Sequence, residues 1–130
     1  MRAMVLRREK IRSKVERIDG IVVLRLLDDK YHSDSMDALD ARFRALEADA
    51  PRGLIVVDLD RVTLLSSSAL RAVRAAHARL EAREGRIAAA GGGDLVRGVL
   101  KFAPFIAQYA TVEEAVSALS ADHGSQRGPI

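Results

Sequence analysis

The stretch from Leu54 to Leu80 constrains the fold more than any other part of the chain. Residues 54–57 form an apolar, partly β-branched run, and residues 58–60 close it with two aspartates. After residue 68 the period changes, because side chains repeat at helical spacing, at Leu70, Val73, His77 and Leu80. A short apolar run followed by helical periodicity predicts a buried strand that leads into an amphipathic helix.

Three consecutive hydroxyl residues, Ser66, Ser67 and Ser68, stand where this helix is predicted to begin. Serine is a favoured N-cap residue because its side-chain oxygen accepts a hydrogen bond from an amide of the first helical turn. The amides of that turn and the positive end of the helix dipole also favour an anion such as phosphate. Ordinary capping is the simplest interpretation of such serines, but capping needs only one of the three hydroxyls.

The remaining segments alternate between strand-like and helix-like patterns. Asp19-Gly20 separates strand-like runs at residues 14–18 and 21–27, and this dipeptide is typical of a type I′ hairpin turn. A polar loop is predicted next, at 28–35, and then a helix with Met36, Leu39, Phe43 and Leu46 on one face. The strand and helix of 54–83 come after it, and Gly85 suits the C′ position of that helix. The last predicted elements are a strand at 86–90, a short helix ending before Pro104, an edge strand within 105–109 and a capped helix from Thr111. This order predicts a single α/β domain, whose mixed, mostly parallel sheet opens with an N-terminal β-hairpin and is covered by about four helices.

Charge and pattern divide the 130-residue chain into three parts. Residues 1–14 contain six basic residues and one acidic residue, although the net charge of the whole chain is only +3. We therefore expect a basic, flexible arm at residues 1–13, a folded domain at residues 14–120 and a frayed tail at residues 121–130, where no pattern continues.

Composition narrows the classes of function. The chain has no cysteine, which excludes disulfides, thiolate catalysis and cysteine zinc sites. Aromatic residues make up only 4% of the chain and are not interleaved with basic residues, so we expect no nucleic-acid-binding surface. No apolar run is long enough to cross a membrane and no signal-peptide pattern is present, so we expect a cytoplasmic protein without membrane insertion.

The histidines and glycines do not indicate a metal or a cofactor. His32, His77 and His123 show no metal-ligand spacing, and His77 falls on the apolar face of its helix, where a buried, hydrogen-bonded histidine is the usual role. The glycine run at residues 91–93 lacks the Gly-Lys-Ser/Thr ending of a P-loop. We expect this run to be a turn between a strand and a helix, and we expect neither a metal site nor a cofactor.

Two enzyme-like or switch-like alternatives are less well supported. Asp28, Asp29 and Asp58 at predicted strand ends resemble the acidic pocket of a receiver domain, but a hairpin comes first and no lysine follows the strand at 86–90. A small serine hydrolase would need a Gly-x-Ser-x-Gly elbow around its nucleophile. The serines have no such elbow and no histidine placed to activate them, so we expect no catalytic residue.

Residues 54–70 resemble the central motif of STAS domains, the family of bacterial anti-sigma factor antagonists. That motif is an apolar strand, then Asp-Leu-Ser, then Asp-Ser-Ser-Gly-Leu at the start of a helix. Here the last five positions are Ser66-Ser67-Ser68-Ala69-Leu70, so a serine replaces the aspartate and an alanine replaces the glycine. The similarity extends over about residues 15–119 and includes the opening hairpin and the closing helix at Thr111–Ala115.

The resemblance implies a small, non-enzymatic α/β domain that binds an anti-sigma factor, often a serine kinase. It implies that this kinase phosphorylates the position that matches Ser68, and that phosphorylation releases the anti-sigma factor. The neighbours expected around the phosphorylation site or at the partner contact are Asp58, Ser66, Ser67, Ala69, Arg71 and Arg74. The alternative within the family is a STAS subunit of an ABC-type transporter or of a lipid-trafficking complex.

Overall fold

The structure, a computed structural model, describes the backbone of residues 11–127 and the side chains of residues 11–121. Its main sheet contains five strands: β1 (Ser13–Ile18), β2 (Ile21–Leu26), β4 (Leu54–Asp58), β6 (Arg86–Ala90) and β7 (Ala107–Tyr109). They lie in the order β1-β2-β4-β6-β7, with β1 antiparallel to β2 and every other neighbouring pair parallel. The predicted α/β class and the mixed, mostly parallel sheet are therefore confirmed.

Four helices within the described part of the chain cover this sheet: α1 (Met36–Ala48), α2 (Ser67–Glu81), α3 (Asp94–Leu100) and α4 (Val112–Arg127). Buried side chains of α1, α2 and α3 share one apolar core on one face of the sheet. Buried side chains of α4 form a second core on the opposite face. The domain thus has three layers, with the sheet in the middle.

The central strand β4 explains why both faces need helical cover. All five of its residues are buried, and its side chains alternate between the two cores. Ile55 and Val57 belong to the core under α1–α3, whereas Leu54 and Val56 belong to the core under α4. A parallel strand that is covered on both faces reads as a continuous apolar run, which is the pattern from which this strand was predicted.

Two short strands that the sequence pattern does not predict form a ladder separate from the main sheet. They are β3 (Lys30–Tyr31) and β5 (Leu64–Leu65), which pair in parallel as a separate ladder. The prediction of a plain polar loop at residues 28–35 is therefore wrong. Two-residue strands are too short to show a period of two, so the pattern carries no signal for them.

The hairpin turn between β1 and β2 has the predicted conformation, but the turn after α2 does not. Asp19 and Gly20 have φ values of 55° and 78°, as a type I′ hairpin requires. The prediction that Gly85 is the C′ residue after α2 is wrong, because the residue in the left-handed region is Glu84, with φ of 65°. Gly85 is instead packed against the backbone of Gly53, where a side chain would not fit.

The folded part extends beyond both predicted boundaries. β1 begins at Ser13, and Ile11 packs against the core before it. At the other end α4 continues to Arg127, past the boundary predicted at residue 120. Its apolar positions end at Leu119, so the sequence pattern stops before the helix does. Residues 1–10 of the predicted arm and residues 128–130 of the predicted tail lie outside the described residues.

Candidate functional site

The three serines lie at the start of α2, close to the carboxyl-terminal edge of the parallel strands. After β4 ends at Asp58, the chain passes through β5 and enters α2 at Ser67. Ser66 is the N-cap residue, with extended backbone (φ −70°, ψ 162°), and its Oγ accepts a hydrogen bond from the Ala69 amide at 3.0 Å. One serine thus performs the capping, as predicted.

The other two hydroxyls take no part in this cap. Within residues 11–121, no hydrogen bond involves the hydroxyl of Ser67 or Ser68. Ser67 is exposed and Ser68 is half-buried. The first turn of α2 contains no acidic residue, and its leading amides have no intrahelical partners. A negative charge on Ser68 would therefore meet the favourable end of the helix dipole without repulsion from that turn.

Ala69, which stands where the STAS motif has glycine, does not add bulk to the surface. It is 0% exposed and belongs to the core shared by α1, α2 and α3. Its methyl group therefore packs inward. The surface beside Ser68 is no more crowded than it would be with glycine at this position.

Backbone hydrogen bonds of the β3–β5 ladder hold the serine segment in place. The Ser66 amide donates to the Tyr31 carbonyl at 2.8 Å. The Asp29 carbonyl accepts from the Thr63 amide at 2.7 Å, from the Leu64 amide at 3.1 Å and from the Thr63 hydroxyl at 3.0 Å. Because these bonds join the loop after β2 to the loop after β4, the start of α2 is fixed relative to both strands.

Tyr31 is the central anchor of this ladder. Its ring is 0% exposed, and burial raises the pKa of its hydroxyl to about 12. The hydroxyl accepts a hydrogen bond from the Asp28 amide at 3.1 Å and donates to the Arg12 carbonyl at 3.4 Å. The Arg12 side chain bonds the Asp28 carboxylate at 2.8 Å. Asp28 is therefore a structural residue that secures the chain before β1.

Asp58 is buried on the opposite side of the sheet from the serines. Every second side chain of β4 points to the same face, so the Asp58 side chain lies on the α4 face together with Leu54 and Val56. There its carboxylate accepts from Arg25 at 2.6 Å and from the Asp60 amide at 3.0 Å, and Arg25 also bonds Glu16. The structure does not bring Asp58 to the serines, and its hydrogen bonds give it a structural role.

Arg71 and Arg74 are exposed on α2, as the helical period predicts. The Arg74 guanidinium lies over the ring of Phe105, 5.7 Å from the ring centroid. Phe105 in turn lies 4.9 Å from the ring of His77. The two arginines therefore place positive charge on the outward face of the same helix that begins with the serines.

His77 has the predicted structural role. It is 4% exposed, and its Nδ1 accepts a hydrogen bond from the Ile87 amide at 3.2 Å. Burial lowers the pKa of His77 below its ordinary value of 6.5, although Glu81 partly opposes this effect. Burial thus favours the neutral imidazole, and its hydrogen bond links α2 to β6.

Neither a hydrolase site nor a metal site is assembled in the described residues. His32 directly follows β3, so the structure brings one histidine to the same end of the sheet as the serines, but no hydrogen bond joins it to any of the three. No cluster of three or more potential metal-ligand side chains occurs among the residues described. None of the helices described is long and apolar enough to cross a membrane.

Sequence reasoning missed two features on the side of the sheet that carries α2 and α3. One is Tyr31, whose two-residue strand has no detectable period. The other is the exposure of Leu95 and Phe102, which are 78% and 76% exposed although they are large apolar residues. A helical wheel of residues 94–102 separates these two side chains from the buried Val96 and Leu100, so this second signal was present in the sequence.

Solved structures of known proteins resemble this fold over most of its length. An anti-sigma factor antagonist from Mycobacterium paratuberculosis has a TM-score of 0.73 and 24% identity, covering 86% of this chain and 96% of its own. The anti-sigma factor antagonist SpoIIAA in its unphosphorylated form has a TM-score of 0.71 and 23% identity, covering 85% and 97%. SpoIIAA in its phosphorylated form has a TM-score of 0.63.

A membrane transporter contains a similar domain. The murine anion transporter Slc26a9 has a TM-score of 0.64 at 10% identity, and the match covers 92% of this chain but only 24% of the transporter. No family model and no curated protein sequence matches the chain. The predicted resemblance is confirmed at the level of structure: this chain has the fold of a STAS domain.

Proposed function

We propose that this protein is an anti-sigma factor antagonist or a closely related regulatory adaptor, which acts by binding a protein partner and not by catalysis. Its partner would be an anti-sigma factor or a related serine kinase in the cytoplasm. The fold is shared with anti-sigma factor antagonists over more than four-fifths of the chain. The surface around the start of α2 would contact the partner, with Arg71 and Arg74 on its outward face.

The proposal includes a switch at Ser68. The single observation that carries it is that Ser66 caps α2, which leaves the Ser68 hydroxyl without a hydrogen bond to any residue from 11 to 121, at a helix start without acidic residues in its first turn. A phosphate there would add about −1.5 to −2 charges. The helix would tolerate that charge, because the dipole favours an anion at this end. A partner surface shaped for a neutral hydroxyl would instead lose solvation and meet repulsion.

The proposal is tested by identifying the partner and then the modified residue. Tagged wild-type protein is used to recover partners from a lysate of the organism that encodes it, and mass spectrometry identifies them. The purified partner is incubated with ATP and this protein, and phosphopeptides are mapped for wild type, Ser68→Ala and Ser67→Ala. We expect a kinase-type anti-sigma factor and a phosphopeptide that only Ser68→Ala abolishes. Phosphorylation that persists in Ser68→Ala would refute the switch.

The similarity to the Slc26a9 domain supports a second candidate, a STAS module that docks on a transporter. The same recovery experiment separates the two functions. Recovery of a transporter ATPase or permease in place of a sigma-factor regulator would favour the second candidate.

A further inference from the structure

Helix α3 and the turn after it carry two large apolar side chains that are exposed. Leu95 is 78% exposed and Phe102 is 76% exposed, and Val99 between them is half-buried. The Phe102 amide donates to the Val99 carbonyl at 3.0 Å, so the helical turn continues to Phe102. Spacings of four and three residues place these side chains on one face, which we call the α3 ridge.

The fold does not need the two exposed side chains of the α3 ridge, Leu95 and Phe102, because only Val99 of the three also packs against the core. The core contact of this segment is made by Val96, Leu100 and Ala103, which are at most 2% exposed and lie on a different face. Single exposed apolar residues are ordinary on protein surfaces. Two large ones on one helical face, each more than three-quarters exposed, are typical of a binding surface.

The α3 ridge is continuous with the surface around the serines. α3 packs beside β5, whose Leu64 is 39% exposed and lies two residues before Ser66. The segment after α3 reaches α2, because Phe105 stacks against His77 and under Arg74. The outward faces of α2 and α3 therefore lie on the same side of the sheet, with Leu64 and Phe105 between the two helices.

The charges around the α3 ridge are mostly positive. Arg97 and Lys101 are exposed on α3 itself, and α2 carries no acidic residue before Glu81. Asp94 is the one acidic residue of α3. The matching surface is therefore one whose apolar centre is surrounded by carboxylates.

This charge pattern also decides against two other occupants. Residues 1–10 contain four basic residues and one acidic residue, so the arm would be repelled from the cations around the ridge. A second copy of the chain would bring Arg97 and Lys101 close to the same residues of its partner. A different protein with acidic side chains fits better than either.

We propose that the α3 ridge is the apolar centre of the docking surface for a protein partner that presents an apolar groove bordered by carboxylates. This inference rests on the proposed function, since the partner meant is the one that a phosphate on Ser68 would release. The ridge supplies the apolar contact that holds the partner. Ser68, at the border of the same surface, supplies the charge change that weakens it.

The test replaces the ridge and leaves the fold intact. The double variant Leu95→Ser/Phe102→Ser is compared with Val15→Ser, whose side chain is 40% exposed on β1 at the sheet edge formed by that strand. Binding of the purified anti-sigma factor kinase is measured by calorimetry. We expect the double variant to lose at least about tenfold in affinity with an unchanged melting temperature, and the control to lose none. Lys101→Glu should weaken binding more than Lys14→Glu.

A photo-crosslinking residue at position 102, with position 15 as control, tests the same surface in cells even while the partner is unidentified. The inference is supported if position 102 forms an adduct with a protein that is then identified, and if that protein binds the double variant more weakly than wild type. If that protein is no sigma-factor regulator, the proposed function fails while the docking surface stands. If the kinase binds wild type and double variant equally, the docking surface fails while the proposed function stands. Three results would each overturn the inference: adducts formed only with a second copy of this chain, binding to anionic vesicles that depends on Phe102, or no adduct at all.

Discussion

Replacing Gly85 by alanine should destabilise the protein far more than replacing Gly98 by alanine. Gly85 lies between α2 and β6, and an added Cβ would overlap the Gly53 carbonyl and lie 2.7 Å from the Gly53 carbonyl carbon and 2.9 Å from its Cα. Those atoms are backbone and cannot rotate away. An added Cβ at Gly98 meets no heavy atom within 4 Å outside its own helical turn and chain neighbours.

The expected loss of stability follows from the backbone contact between Gly53 and Gly85, which must open to admit the added methyl group. Ordinary carbon contacts lie at about 3.5–4.0 Å, so the starts of β4 and β6 must separate by about 1 Å. That movement would break the hydrogen bond from the Arg86 amide to the Gly53 carbonyl, now 2.9 Å long. Overpacking costs about 1–3 kcal/mol and the lost bond about 1 kcal/mol, so we expect Gly85→Ala to lower the free energy of unfolding by about 2–4 kcal/mol. Gly98→Ala should raise it by about 0.5–1 kcal/mol, because alanine is a better helix former.

Urea unfolding followed by far-ultraviolet circular dichroism measures both variants against wild type. Equal slopes with different midpoints would show that the change lies in stability. If Gly85→Ala matched wild type within about 0.5 kcal/mol, the close approach of the two glycine backbones would be refuted.

Three further predictions test other parts of the fold. Val56→Asp buries an unpaired carboxylate in the α4 core and should cost about 4 kcal/mol or more, so a cooperative melt near the wild-type temperature would contradict the assignment of β4. Because His77 is buried neutral with a lowered pKa, the unfolded chain binds more protons below about pH 6.5. Stability should therefore fall as the pH drops from about 7 to 5, and this slope should flatten in His77→Gln; an equal slope in both proteins would refute the role of the histidine. Deleting residues 1–10 should leave the melting temperature unchanged. Deleting residues 1–12 should lower it, because Arg12 forms hydrogen bonds with Asp28 and Tyr31. Equal effects of the two deletions would contradict a stabilising role of these bonds.

The central strand and α2 could be predicted because their signals are long. β4 is a continuous apolar run, and α2 repeats buried positions over about three turns, at Leu70, Val73, His77 and Leu80. Capping chemistry placed the start of α2, since Ser66 is the N-cap. The strand–helix order then limits the topology to a mostly parallel sheet.

The features that escaped prediction depend on contacts between distant segments. The β3–β5 ladder has two residues per strand, so only tertiary pairing reveals it. Gly85 was assigned to a helix end because glycine is common there, but the actual reason is the backbone of Gly53, which is remote in sequence. Likewise, a carboxylate at a strand end can face either side of the sheet. The bond from Arg25 to Asp58 depends on the pairing of β2 with β4, which places Arg25 opposite Asp58 on the α4 face.

The candidate site was predicted in part. The position of the serines and the outward direction of Arg71 and Arg74 follow from the helical period. The inward packing of Ala69 does not follow from a motif comparison, because the comparison shows which residue is changed and not where its methyl group points.

The affinity of the purified partner for Ser68 variants tests the central claim most directly. Isothermal titration calorimetry compares wild type, Ser68→Ala, Ser68→Glu and the control Ser117→Glu, which places the same charge at an exposed position of α4 on the other face of the sheet. A charge buried at the contact should cost about 2 kcal/mol or more. We therefore predict that Ser68→Glu binds at least about thirtyfold more weakly, and that Ser68→Ala and Ser117→Glu bind like wild type, all with unchanged melting. Equal affinity of Ser68→Glu and wild type would contradict the claim that charge at this helix start controls partner binding.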